Sequence, residues 1–452
     1  MRRLVVLALL FGAMRLIEPL GRTRGAPDAL LTFGFLILAA YAAGELVARF
    51  RQPKIIGYLI AGVLAGPTVL GTVTAAAALR LSPVSDLAIA LIAFLAGAEL
   101  DLEEVKARGK QLVRLTVIEL GLGILTLFGL ALALKQWIPF LAGTDMQRTI
   151  LFALLFALIA VMHSPAIVMA ILTETRAKGP AARATLAVVL LSEVVVVLLF
   201  SLLLGAAQRL LPGASEPSGG VLLVIWEIAG SVPIGVVLGI AVAFALRVVR
   251  DDRFVFALLA ALLGQQISHL LHVEVLLTLL VAGFVAVNLA REDDGDALRH
   301  SMERAAGPVF VVFFALAGVA IDVPAAVALG IVVVPIVIGR LIALRVGVHF
   351  GARGLGLEPA QQAALWQGLS AQAGVAIGLV GIVAEAYPEA AVSMRALLLA
   401  IIAVNGTLGP ILFRRGLVGA GEIGGGMSGE SAAAEPGAAD DATTPVAEGM
   451  PG

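Results

Sequence analysis

The 452-residue chain contains no cysteine. Disulfides, thiolate-held metals and cysteine nucleophiles are therefore excluded, and thiol usage says nothing about the redox compartment. Charge is scarce as well: Asp, Glu, Lys and Arg make up 14% of the residues, against about a quarter in soluble domains. The phosphate-cradling pattern GxxxxGK[ST] is absent, which argues against a pump driven by nucleotide hydrolysis. The net charge of -1 says little, because in such a chain the sign of charge matters loop by loop.

What remains is apolar. Hydrophobic residues are 60% of the chain and the mean hydropathy is +1.03, the composition of a polytopic membrane protein. A spanning helix needs about 20 mostly apolar residues. That rule predicts an all-α membrane protein with about 13 segments: 27–49, 54–71, 84–100, 112–135, 148–173, 181–208, 219–246, 253–271, 273–290, 305–321, 323–350, 361–385 and 393–413. With 50 glycines and 20 prolines in apolar surroundings, close helix packing and broken helices are both expected.

Lys and Arg sort the loops into two sides. Loops after odd-numbered segments, with the C-terminal end, hold 20 of them, including Arg49, Lys106, Arg176, Arg253, Arg304 and Arg415; the other side holds five (Arg80, Lys135, Arg148, Arg209 and Arg395), with five more in the N-terminal tail. The positive-inside rule then places the C-terminus in the cytoplasm of a cell whose inner membrane the chain crosses many times. Residues 1–26 form a tail whose stretch from Leu4 to Met14 has the shape of a signal sequence without a good cleavage site; a cleaved signal and a retained extra helix are both open. From Gly416 to 452 the chain is rich in Gly, Ala, Ser and Pro, with six acids and no Lys or Arg, and reads as a disordered acidic tail.

An internal repeat organises the middle. AGVLAG at 61–66 parallels AGFVAV at 282–287, and FLAGAELDL at 94–102 parallels ALAGVAIDV at 315–323, so Gly62/Gly283, Gly97/Gly318 and Asp101/Asp322 share one offset of 221. The layout this implies is a six-helix repeat over 27–208, a linker helix at 219–246 and a second six-helix repeat over 253–413. An odd linker inverts the second copy, and inverted repeats with a midplane site are characteristic of secondary transporters.

The candidate site lies inside the membrane. Glu193 sits mid-way along AARATLAVVLLSEVVVVLLFSLLLGA (181–206), where the only other charge is Arg183 near the start. A carboxylate at that depth is costly unless compensated, so ionisable groups there are usually functional. Both halves also carry an interrupted helix: Met162-His163-Ser164-Pro165 in the first, and Gly368 to Gly374 with Ser370 and Gln372 in the second. Breaks of this kind expose helix ends at membrane depth, whose carbonyls are available to a cation.

GYLIAGVLAGPTVLG (57–71), FLAGAELDL (94–102), HSPAIVMAIL (163–172), the acid in LLSEVVVV (190–197), FFALAGVAIDV (313–323), the basic residue in IGRLIALRVG (338–347) and NGTLGP (405–410) together resemble the bacterial monovalent cation:proton antiporters of the sodium/proton and Kef-type potassium-efflux lineage. The resemblance runs in order from about residue 30 to 415. It implies thirteen helices in two inverted bundles, usually a homodimer, with a mobile core of segments four to six and eleven to thirteen sliding against a dimerisation platform. By that resemblance Glu193 is the acid that alternately binds a cation such as Na+ or K+ and protons, Ser192 the polar residue before it, Ser164 part of the first crossing, and Arg340 the basic residue facing the acid. Relatives mostly carry aspartate where Glu193 stands, often after Asp, Asn or Gln rather than Ser192. A guanidinium keeps its proton, so a site in which only Glu193 cycles exchanges one proton for one monovalent cation. His163 adds either a further proton site or a packing and capping group.

No cofactor and no nucleic-acid partner is expected, and the lipid bilayer is the surrounding medium. Rival readings are a Kef-like gated potassium efflux channel, which the lack of a nucleotide-binding regulatory domain after Arg415 weakens, and a non-transporting sensor on a transporter scaffold. An enzyme is not expected, since His163 and Ser164 are neighbours in sequence and do not face one another. Glu119 precedes Arg340 by the repeat offset of 221 and reads as half of a structural ion pair. Glu45, Glu99, Glu227 and Glu274 lie near segment ends, and Asn288 and Asn405 read as interhelical hydrogen-bond donors.

Overall fold

The computed structural model describes residues 29–100, 102–211, 220–248, 253–372 and 375–423. The N-terminal tail, Asp101, Gly374 and the acidic tail from residue 424 lie outside the described residues. Among the described residues every regular element is a helix: α1 (Ala29–Ala48), α2 (Lys54–Ala65), α3 (Ala75–Arg80), α4 (Ser82–Ala98), α5 (Leu102–Ala133), α6 (Met146–Ala160), α7 (Pro165–Thr175), α8 (Pro180–Leu210), α9 (Gly220–Ala245), α10 (Arg253–Leu271), α11 (Val275–Leu289), α12 (Glu292–Val319), α13 (Val323–Ala328), α14 (Gly330–Gly351), α15 (Pro359–Leu369), α16 (Val375–Ala386) and α17 (Pro388–Gly419).

Each expected segment falls on a helix or a helix pair. Among the described residues, eight stretches are long and apolar enough to cross a bilayer, and shorter apolar helices stand among them. The departures in length have local causes. α2 stops at Ala65, where Gly66 turns extended ahead of Pro67, because the residue before proline is driven out of the helical region. α5 and α12 start earlier than hydropathy suggests, through LEEVKARGK and EDDGDALRHSMER; the first is mostly good helix formers, and the second sets acids at its start, where the helix dipole favours them. α4 ends at Ala98, which leaves Glu99 in the connection beyond the span. The chain past Gly416 is ordered further than its composition suggests: α17 continues to Gly419, and the Glu422 carboxylate accepts bonds of 2.8 Å from the amides of Ala181 and Ala182, capping the positive end of α8.

The helices pack as two bodies. One is built from α1, α2, α4 and α9 to α12, with its most extensive contacts between α9 and α11, α4 and α11, and α2 and α12; the other holds α5 to α8 and α13 to α17, centred on α5 against α14 and α15 against α17. Contacts of α8 with α9, and of α7 with α4 and α12, join the two. Within the first body a methyl group on Gly62 would lie 2.1 Å from the Ala315 carbonyl oxygen and 2.9 Å from the Cα of Gly318, while one on Gly97 would lie 1.9 Å from the Leu280 carbonyl; Gly283 meets the Phe94 carbonyl in turn. Gly62 packs on Gly318, and Gly97 packs on the helix of Gly283. Adding 221 to the first residue of the first contact and subtracting it from the second gives the residues of the second contact.

Candidate functional site

Both interruptions exist and they touch. α6 ends at Ala160 and α7 begins at Pro165; Ser164 is extended (φ -116°, ψ 105°) as its following proline demands. Its hydroxyl caps α7 by accepting from the Ile167 amide at 3.2 Å. On the other strand of the crossing α15 ends at Leu369 and α16 begins at Val375. The Ser164 amide donates to the Ala371 carbonyl at 3.0 Å, the Gln372 amide nitrogen donates to the Ala160 carbonyl at 3.2 Å, and Asn405 donates to the Gln372 side-chain oxygen at 2.9 Å. The Ser370 hydroxyl donates to the Gln367 carbonyl at 2.6 Å.

Arg340, on α14, is 1% exposed and reaches into the crossing. Its Nη1 donates to the Ser370 carbonyl at 2.8 Å, and its Nη2 to the Met162 carbonyl at 2.9 Å, with the Leu369 and Val161 carbonyls at 3.3 and 3.4 Å. These are the C-terminal carbonyls of α6 and α15, the negative ends of two half-helices. The carbonyls that sequence reasoning held open for a cation are thus filled by a resident guanidinium, which suits them because its planar fork presents several donors at once.

The charge bearing on Arg340 is that of Glu119 on α5. The Glu119 side chain is fully buried and meets His163 Nε2 at 3.2 and 3.3 Å, a contact that takes a proton from one side or the other. His163 Nδ1 lies 2.7 Å from the Leu369 carbonyl and 3.2 Å from Arg340 Nη2. Ser192, on α8, has one hydroxyl hydrogen and two acceptors, the Val188 carbonyl at 2.7 Å and Glu119 Oε1 at 2.9 Å. Arg340, Glu119, His163 and Ser192 form one connected network from four different elements.

Glu193 is not part of it. One residue along α8 from Ser192, it is rotated by about 100° away from that network. The charge bearing on it is the carboxylate of Glu274, which caps α11 in the first body, and no contact joins it to Arg340. Its Oε1 is buried without a hydrogen-bond partner, an expensive condition for a carboxyl oxygen. Of the residues singled out from sequence, Ser164, Pro165, Ser370 and Gln372 meet at the crossing, His163 and Ser192 lie in the network beside it, and Arg340 bonds to both breaks. Glu119, which the sequence marked by its offset of 221 from Arg340 and which reads there as half of a structural ion pair, pairs with His163, and the helices of Glu119 and Arg340 pack directly against each other.

A model of the family described as sodium/hydrogen exchanger, transmembrane, matches residues 34–414. The chain belongs to this exchanger family. The Na(+)/H(+)-K(+) antiporter GerN of Bacillus cereus is 39% identical over 72 residues, which is 16% of this chain and 18% of that protein. Probable Na(+)/H(+) antiporter 3 of Methanocaldococcus jannaschii is 31% identical over 175 residues, 38% of this chain and 39% of the relative. The chain therefore aligns with less than two fifths of the length of either. The sodium proton antiporter MjNhaP1 from Methanocaldococcus jannaschii superposes with a TM-score of 0.65 over 87% of this chain and 98% of that one at 16% identity, which shows a shared fold.

In this exchanger chain the seam between the bodies opens into a funnel of about 1100 Å³ at the end of the molecule where most Lys and Arg lie, and its wall includes Met169, Leu186 and Ala187. Ala187 precedes Glu193 by six residues on α8, about 9 Å along the helix axis. Glu99 stands in the funnel wall, and burial, reinforced by the nearby Glu303 carboxylate and opposed by Arg299, pushes its carboxyl up to about 7.

Proposed function

We propose that the protein is a secondary active transporter that exchanges a monovalent cation, Na+ or K+, for protons by alternating access. The observation that supports this most is the Glu193 carboxyl, whose buried oxygen lacks a protein partner on the helix that packs against α9 of the first body. A carboxylate there is costly when bare, so it is held either with a cation or with a proton. Only the neutralised group crosses the seam cheaply, and that restriction couples the two fluxes. With a single cycling acid the exchange is one for one and electroneutral. Ser192, Ser164 and His163 line and position the site, and Arg340 compensates charge at the crossing.

The wider reading has thirteen crossings, two inverted copies at 27–208 and 253–413 supported by the reciprocal glycine contacts, a homodimer assembled through the first body, and the body of α5 to α8 and α13 to α17 as the moving part. Loop charge supports a place in the cell's inner membrane with the C-terminus in the cytoplasm, and proton-coupled exchange there would serve pH homeostasis. The test is a dye-based exchange assay in proteoliposomes. Glu193→Gln is expected to abolish proton-coupled cation flux while leaving a folded protein with wild-type elution; flux retained in that variant would remove the site assignment, and a robust current on a cation gradient would exclude one-for-one exchange.

A further inference from the structure

The funnel described above has the wrong sign for a simple cation vestibule. Arg108, Arg176 and Arg183 line it from the body of α5 to α8, and Arg253, Arg299 and Arg304 from the body of α10 and α12, with Lys178 beside them. The acids in the same wall are Glu99, Asp293 and Glu303, so basic side chains outnumber acidic ones by seven to three. Part of that charge is answered locally: Arg253 pairs with Asp294, and Arg299 with Asp296 and more distantly with Glu99. Arg108 and Arg176 make no ion pair among the described residues. Topology alone calls for basic residues in the loops on this side, but not for guanidinium groups of both bodies gathered around one cavity. Like charges held face to face in a concave wall repel one another and raise the local concentration of anions.

We propose that this funnel binds a polyvalent, phosphate-bearing anion that bridges the two bodies and slows exchange. Guanidinium groups recognise phosphate oxygens bidentately, and the volume of about 1100 Å³ exceeds what a small polyphosphate or a lipid headgroup needs, since small-molecule sites run to about 1,000 Å³. Because the basic groups come from both bodies, the anion neutralises the repulsion between them and ties together parts that the transport reading requires to slide. That second step rests on the proposed function; the binding itself does not. The shared chemistry has two sources, a soluble polyphosphate compound or an anionic phospholipid headgroup entering from the bilayer edge.

The experiment uses the full chain. Inorganic tripolyphosphate is titrated against the detergent-solubilised protein, following the unfolding temperature, and exchange is measured in phosphatidylcholine liposomes with and without tripolyphosphate on the funnel side or phosphatidylglycerol in the bilayer. Tripolyphosphate or phosphatidylglycerol is expected to stabilise the protein and to lower the exchange rate, and Arg108→Gln with Arg304→Gln to weaken the effective anion by about tenfold or more, whereas Arg108→Lys with Arg304→Lys retains most of it. An effect of tripolyphosphate alone assigns the site to a soluble ligand, and an effect of phosphatidylglycerol alone assigns it to a headgroup. If neither changes unfolding temperature or rate in a way that the glutamine variant removes, the site does not exist. Binding that survives in a protein without exchange activity overturns the transport reading and leaves the anion site standing.

Discussion

Two acids lie close together in the interior, and they live in opposite conditions. Glu119 is surrounded by His163, Ser192 and the field of Arg340 and sits inside one packed body. Glu193, one position from Ser192, has an oxygen without a partner, and the nearby acid is Glu274 of the first body. A fully partnered carboxylate fixes geometry, because every change in its charge disturbs several bonds at once. An unpartnered one leaves room for something to come and go. On the proposed function, that difference separates a structural acid from the carrier acid within one turn of α8.

The comparison can be broken most directly by exchanging the two losses. Glu193→Gln should take exchange to background with little change in unfolding temperature, whereas Glu119→Gln should destabilise the fold by about 1–3 kcal/mol and leave measurable exchange. The reverse pattern in a paired flux and thermal-unfolding series would assign the carrier role to Glu119. The largest expected effect on stability comes from Arg340→Ala, which strands the carbonyls of both half-helices and a buried acid; removing one partner of such a network costs about 3–5 kcal/mol, read as a fall in the denaturation midpoint. Glu422→Ala removes a carboxylate cap from the start of α8 and should cost about 1 kcal/mol, with exchange retained.

The smallest effect concerns pH. Glu99 is held up to about 7 against an ordinary 4.5, so the folded protein keeps a proton there that the unfolded chain has released. Its contribution to stability is therefore fully present below about 4.5 and is lost as pH rises to about 7. Thermal unfolding of wild type should fall more steeply across that window than that of Glu99→Gln, and identical slopes would show that Glu99 titrates normally.

Much of this was legible in the residues. Pro165 and the run from Gly368 to Gly374 announced the interrupted helices because proline and glycine act locally, within a turn of where they stand. Glu193 announced itself by contrast with its apolar neighbours. The partner of Arg340 was not legible, since pairing across α5, α14 and the breaks depends on which way each helix is rotated, and a rotation of one residue moves a side chain by about 100°. The Glu422 cap was hidden for a different reason: the composition around it reads as tail, and a single carboxylate folding back onto two amides leaves no pattern in sequence. The offset of 221 placed Glu119 in a structural ion pair, but one matched position among poorly matched neighbours did not name His163 as the partner.

The guanidinium of Arg340 bonds at once to Met162 on one interrupted helix and to Ser370 on the other. A rivet through the waist of an X prevents its arms from separating without forbidding the whole figure to travel. In the proposed exchange cycle the two breaks therefore travel together as a single cargo frame, with the bonds of Arg340 to both intact along the way.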